Sequence, residues 1–202
     1  MQQVQVMNLL KGFINKNFAL LCAGLSVFCV GIIAGSIVAA NMGAADATEL
    51  KNSLSGMVSP NSVNTVSFWD IVASESLNHI KPVAIMGLCA HNICLIPVSA
   101  FTLGIRGYQL GFSVSFLCGN FGLRGIVLTF VSSLVSYVIA MPVYIGLFVL
   151  TSRYAIARSK NTGLRANGFS LPVMLVGAYG ILCVGSCIEG LLLPIFIDFF
   201  TA

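Results

Sequence analysis

The chain is expected to be an all-α bundle of transmembrane helices, and three observations carry that reading. Only 8% of its 202 residues are Asp, Glu, Lys or Arg, and 57% are hydrophobic, whereas soluble domains run near ~25% charged. Apolar runs long enough to cross hydrocarbon recur along the chain. The few charges fall on alternate sides of those runs, as orienting charges do in membrane proteins. The whole chain, 1–202, then reads as one multi-pass domain of a cell membrane.

Five spans are expected, at about 18–40, 83–105, 108–121, 125–150 and 171–197. A helix rising ~1.5 Å per residue needs about 20 residues to cover ~30 Å of hydrocarbon. Four spans meet that length. The first resembles a signal peptide in having Ala45-Asp46-Ala47 after it, but its apolar run exceeds the ~7 to 15 residues of a signal core, so it reads as an uncleaved anchor. The third span is short and contains Gly111 and Gly119. It reads as a full crossing or as a re-entrant segment, and broken helices persist only when shielded from lipid.

Charge decides between those two. With the N-terminus inside, Lys11, Lys16, Arg106, Arg153, Arg158, Lys160 and Arg165 are cytoplasmic, and Lys51, Lys81 and Arg124 lie outside. This seven-to-three division follows the positive-inside rule. Asp46, Glu49, Asp70, Glu75 and Asp198 fall outside, and Glu189 lies in the last span. A re-entrant third segment would turn Arg153 to Arg165 outward, so five crossings with an inner N-terminus and an outer C-terminus are expected.

The outer polar segment, 41–82, is too short to bury a core of its own. Its part from Phe68 to Pro82 mixes Trp69, Ile71, Val72, Leu77 and Ile80 with polar residues. That pattern suits either an amphipathic helix in the outer interface or a loop. The net charge of +4 points to anionic lipid heads. No nucleic-acid partner is expected, since no basic patch is interleaved with aromatics.

Several features carry chemistry or packing. Gly31 and Gly35 stand four apart, as do Gly107 and Gly111, and Gly119, Gly122 and Gly125 crowd the expected turn between the third and fourth spans. Small residues let membrane helices approach closely. The pairs serve packing within one bundle or, as the lesser alternative, a homo-oligomer. Pro97 and Pro142 lie inside their spans and Pro194 near the end of the last, where each removes a helical hydrogen bond and tends to kink the helix. A carboxylate at mid-bilayer costs ~2.5 to 3.5 kcal/mol on insertion scales, so Glu189 needs a partner. Counting inward at helical rise puts Glu189 roughly 13 Å and His91 roughly 12 Å below the outer surface. A Glu189–His91 contact is therefore expected, with Arg124 as a possible second partner. It serves as a structural hydrogen bond or as a proton or ion site.

Neither metal nor catalysis is expected. Cys89, His91 and Cys94 lack the paired spacing of zinc ligands. The seven cysteines lie in apolar spans and read as small packing residues. Ser132, Ser133 and Ser136 suit hydrogen bonds to helical carbonyls. No cofactor motif, nucleophile elbow or paired-carboxylate arrangement is present in the sequence.

Residues Gly111 to Gly146 read GFSVSFLCGNFGLRGIVLTFVSSLVSYVIAMPVYIG. This resembles the core of the stage II sporulation protein M family in its glycine-started short helix, the Asn120–Gly122 turn with Gly125, and a long span with late Pro142. Gly185 to Phe196, GSCIEGLLLPIF, is similar to the family's last helix, with Glu189 followed by Pro194. Many relatives carry polar residues and often a proline just before Pro142, where this chain has Val135, Ser136 and Tyr137. The resemblance is specific from about 104 to 197 and extends to the first 80 residues only in layout. It implies a non-catalytic scaffold at the sporulation septum. Such a protein recruits two membrane-anchored peptidoglycan hydrolases, the stage II sporulation D and P proteins, during engulfment. The other class the sequence allows is a transporter or ABC-type permease subunit, which should bring several polar groups together at the midplane.

Overall fold

The computed structural model describes residues 2–43, 46–50, 52, 68–129, 135–159 and 171–201. Five long helices hold most of them: α1 (Gln2–Ala40), α2 (Phe68–Cys89), α3 (Ile96–Thr129), α4 (Val135–Ser159) and α5 (Leu171–Thr201). A short 3-10 turn, Ile93–Leu95, joins α2 to α3. No strand occurs among the described residues. The protein is an all-α helix bundle.

Four stretches are long and apolar enough to cross a membrane: Asn17–Ala40, Ile93–Asn120, Tyr137–Ser159 and Leu171–Ile188. Val30, Ile33 and Ile37 of α1 and Val173, Val176 and Val184 of α5 are exposed. Such apolar flanks suit hydrocarbon, not water. The chain is accordingly a multi-pass membrane protein. α2 lies outside this apolar set because it carries Asp70, Glu75, His79 and Lys81.

The contacts set the direction of each helix. Ser36 Oγ donates to the Gly111 carbonyl and Ser115 Oγ to the Ser36 carbonyl, while Gly107 abuts Phe28. Partner numbers rise together, so α1 and α3 run parallel. Arg106 donates to the Asn78 carbonyl across the α2–α3 hairpin, so α2 opposes α3. Gly24 meets Leu103 and Phe148, and Arg106 meets Tyr144, so α4 opposes α3. Gly87 meets Leu175, and Tyr179 donates to the Ser76 carbonyl, so α5 opposes α2. The five helices alternate up and down.

α3 packs most extensively on α1, and α2 on α5. α4 runs through the centre and supplies much of the core: Ala140, Tyr144, Leu147, Phe148 and Val149 are buried, with Phe28, Met86, Leu103 and Leu182 around them. The bundle has a basic end and an acidic end. Arg153 and Arg158 stand at the end of α4, and the start of α1 carries Lys11 and Lys16. Asp46 and Glu49 follow α1, and Asp70 and Glu75 lie in the first half of α2.

Five spans were expected; the structure has five long helices, of which four hold stretches apolar enough to cross, and their boundaries differ from the expected ones. The expected span 83–105 is cut at residues 90–92, and its second half joins the expected third span in one helix. Two local causes break the chain there. Asn92 Oδ1 accepts a hydrogen bond from the Cys94 amide, which starts the 3-10 turn. Pro97 has no N–H to give to the Ile93 carbonyl, so α2 cannot run on through it. Pro97 therefore sits in the first turn of α3, where a missing N–H costs nothing, and is not a kink. Pro142 lies inside α4 and Pro82 inside α2, while Pro194 lies in α5. Phe68–Pro82, expected as an interfacial helix or a loop, is the first part of α2 and stands alongside α3. Gly119, Gly122 and Gly125 are in α3, not in a turn. Most of the outer segment (51, 53–67) and Ser132 and Ser133 fall outside the described residues.

Candidate polar cleft at mid-bundle

Arg106 is central to the most developed polar site. It lies near the middle of the apolar stretch Ile93–Asn120. Its Nη1 donates to Gln109 Oε1 at 3.1 Å, and its Nη2 to the Asn78 carbonyl. The guanidinium carbon stands 5.3 Å from the centroid of the Tyr144 ring, a cation–π distance. Tyr144 is 1% exposed, and its hydroxyl is 2.7 Å from His79 Nδ1. His79 is buried as well. Three helices thus contribute: α2 gives His79, α3 gives Arg106 and α4 gives Tyr144.

A cleft of about 560 Å³ adjoins this cluster. α2 lines one wall with Glu75, Asn78 and Lys81, and α3 the other with Thr102, Arg106 and Gln109. Within each helix these residues recur at three- and four-residue steps, so each set forms one face. Tyr137 of α4 also lines it. Lys81, Ile85, Ile105 and Gln109 are both lining and exposed. The cleft therefore opens on the flank of the bundle. Among the described residues neither Arg106 nor Lys81 pairs with a carboxylate. A cation at this depth costs ~2.5 to 3.5 kcal/mol on insertion scales unless water or a counter-charge meets it.

Arg106 and Lys81 are misplaced in the sequence-based division of charges. The guanidinium was expected in an inner loop and the ammonium in an outer one, but both line the mid-depth cleft. The other basic groups leave the asymmetry intact, since Arg153 and Arg158 close α4 at the basic end.

The helix positions do not bring together Glu189 and His91, the expected pair. His91 is exposed in the turn after α2, beyond Gly87, which meets Leu175 of α5. Glu189 lies further along α5, away from that turn, by roughly 21 Å from Leu175 at helical rise. The two stand toward opposite ends of the bundle, because the long helix α2 runs before His91 instead of after it. The side chains of Glu189, Arg124 and Ser136 fall outside the described residues.

The two glycine pairs lie on the facing sides of α1 and α3, each against the other helix's backbone. A Cβ on Gly31 would sit on the Gly104 carbonyl, on Gly35 on the Tyr108 carbonyl, on Gly107 on the Phe28 carbonyl and on Gly111 on the Ile32 carbonyl. All four are consumed by the α1–α3 contact, where small residues allow close backbone approach. Gly119 has open space around it. The seven cysteines are free, and only Cys89 is buried, so most of them do not pack in the core. No cluster of three His, Cys, Asp or Glu that could hold a metal occurs among the described residues.

Of the residues at this site, Lys81 and Arg106 figured in the sequence reading only as orienting charges, and His79 and Tyr144 did not figure at all. A signal existed: Thr102, Arg106, Gln109 and Ser113 share one helical face, as a polar stripe within a span would. Treating Arg106 as a loop marker hid it. No protein-family model, curated protein or solved structure matches the chain.

Proposed function

We propose that the protein is a non-catalytic membrane scaffold that holds membrane-anchored peptidoglycan hydrolases at the septum during engulfment in sporulation. The likeness of Gly111–Gly146 and Gly185–Phe196 to the stage II sporulation protein M family suggests the process and the partners. The structural observation that carries a holding role is the cleft between α2 and α3. It opens sideways into the position of lipid, where an anchored partner is met and a water-borne substrate is not. In this reading α2 crosses the membrane with the other four helices, and the basic end faces the cytoplasm under the positive-inside rule. The C-terminus is then outside. The parallel α1–α3 pair forms a rigid spine, and its glycines are spent inside the molecule.

The test is co-purification. The tagged protein, gently solubilised from its own host during sporulation, should bring down peptidoglycan hydrolases. Recovery of an ATPase without hydrolases would contradict the scaffold reading.

A second reading has one observation in its favour. Arg106, Tyr144 and His79 converge at mid-depth, as polar groups do at the substrate site of a transporter or permease subunit. In that case Arg106→Gln abolishes transport in a protein that still folds, whereas a scaffold shows no solute flux to lose.

A further inference from the structure

We propose that the α2–α3 cleft is a docking groove for one transmembrane helix of a partner, held by an acidic side chain near the middle of that helix. The identity of the partner rests on the scaffold reading; the chemistry of the groove does not.

Three features point to this occupant. The first is shape. α2 and α3 leave the groove open on the flank, and Asn78 and Lys81 face Arg106 and Gln109 across it. α2 packs chiefly on α5 and α3 on α1, so the space between them is left for another element. The second is charge. Arg106 and Lys81 face the groove with no carboxylate partner among the described residues. A guanidinium carries five N–H donors, and Arg106 uses two of them on Gln109 and Asn78. The third is depth. Arg106 lies near the middle of Ile93–Asn120, deeper than lipid phosphates sit. Glu75 lines the groove on the side of the acidic end and repels an anionic headgroup descending from there. Buried membrane charges pair with one another, so a carboxylate on a neighbouring helix completes the site. The Tyr144 ring under Arg106 and its contact with His79 hold the guanidinium in place for that pairing.

The full-length protein is reconstituted in phosphatidylcholine vesicles with a synthetic helix of about 20 apolar residues carrying one central Asp. Matched helices carry Asn or Leu instead, and binding is read by energy transfer between labels. The Asp helix should bind about tenfold tighter than the Leu helix. Arg106→Gln and Lys81→Gln should each remove most of that advantage, and Arg106→Lys should keep a good part of it. Lys81 is exposed, so Lys81→Gln remains decisive if Arg106→Gln folds poorly. Equal binding of the Asp and Leu helices overturns the proposal. So does loss of the Asp advantage on adding phosphatidylglycerol, which would make anionic lipid the occupant. Hydrolases that co-purify undiminished with both Gln variants would leave the scaffold standing and overturn the groove as its means. A designed helix held by Arg106, with no hydrolase recovered from cells, would do the reverse.

Discussion

At Gly111 there is no room for a methyl group, because α3 lies against the Ile32 backbone of α1. Gly111→Ala should therefore force the helices apart and cost about 1–3 kcal/mol, as overpacking does. Gly180→Ala meets nothing within 4 Å and should be neutral or gain up to about 1 kcal/mol from helix propensity. Thermal melts of the two variants in one detergent check the contrast, and equal losses would contradict the α1–α3 contact. Tyr144→Phe keeps the ring under Arg106 but removes the partner of His79 Nδ1, so about 1 kcal/mol of stability should be lost. Ser152 is different: its hydroxyl is buried with no hydrogen-bond partner among the described residues. Ser152→Ala should then be neutral or slightly stabilising, because no bond is broken and an unsatisfied group is removed. His91 is exposed in a turn, and His91→Leu should leave the melting temperature unchanged.

Among the elements, α2 decides the architecture. It carries Asp70, Glu75, His79 and Lys81 and is too polar to read as a span on hydropathy alone. Tertiary contacts hold it in the bundle: Val83, Met86 and His79 are buried, and Gly87 accepts Leu175 of α5. This explains how much of the fold could be read in the sequence. α1, α4 and α5 announce themselves by long apolar runs: the expected spans 18–40 and 171–197 fall within α1 and α5, whereas 125–150 meets α4 only from residue 135 and begins in α3. α2 and α3 do not, because the rule that charges mark loops fails where a charge has partners inside the bundle. Arg106 finds Asn78, Gln109 and Tyr144, so α3 passes straight through it. The true break, at 90–92, rests on Asn92 and Pro97, local signals that an apolar run conceals. The expected depth of His91 in the Glu189–His91 pairing was wrong for the same reason, since it assumed a span beginning at Val83, which lies inside α2. The site was legible only as two polar stripes, one on each helix. That they face each other depends on the hairpin turn.

For the molecule as a whole, the account depends on five alternating crossings. Parallel α1 and α3 require that α2 pass between the two ends of the bundle. Only then are Arg106 and Lys81 at mid-membrane, and only then does the flank cleft face lipid. The most direct measurement is the sidedness of the two connections that α2 links. In a chain whose native cysteines are replaced, a single cysteine is placed at Gly43 or at Asn92. Each is treated in intact cells with a membrane-impermeant thiol reagent. The account predicts labelling of Gly43→Cys in intact cells, and labelling of Asn92→Cys only after the membrane is opened. Labelling of both in intact cells would place α2 on the outer surface and contradict the five-helix crossing, and with it the mid-membrane cleft.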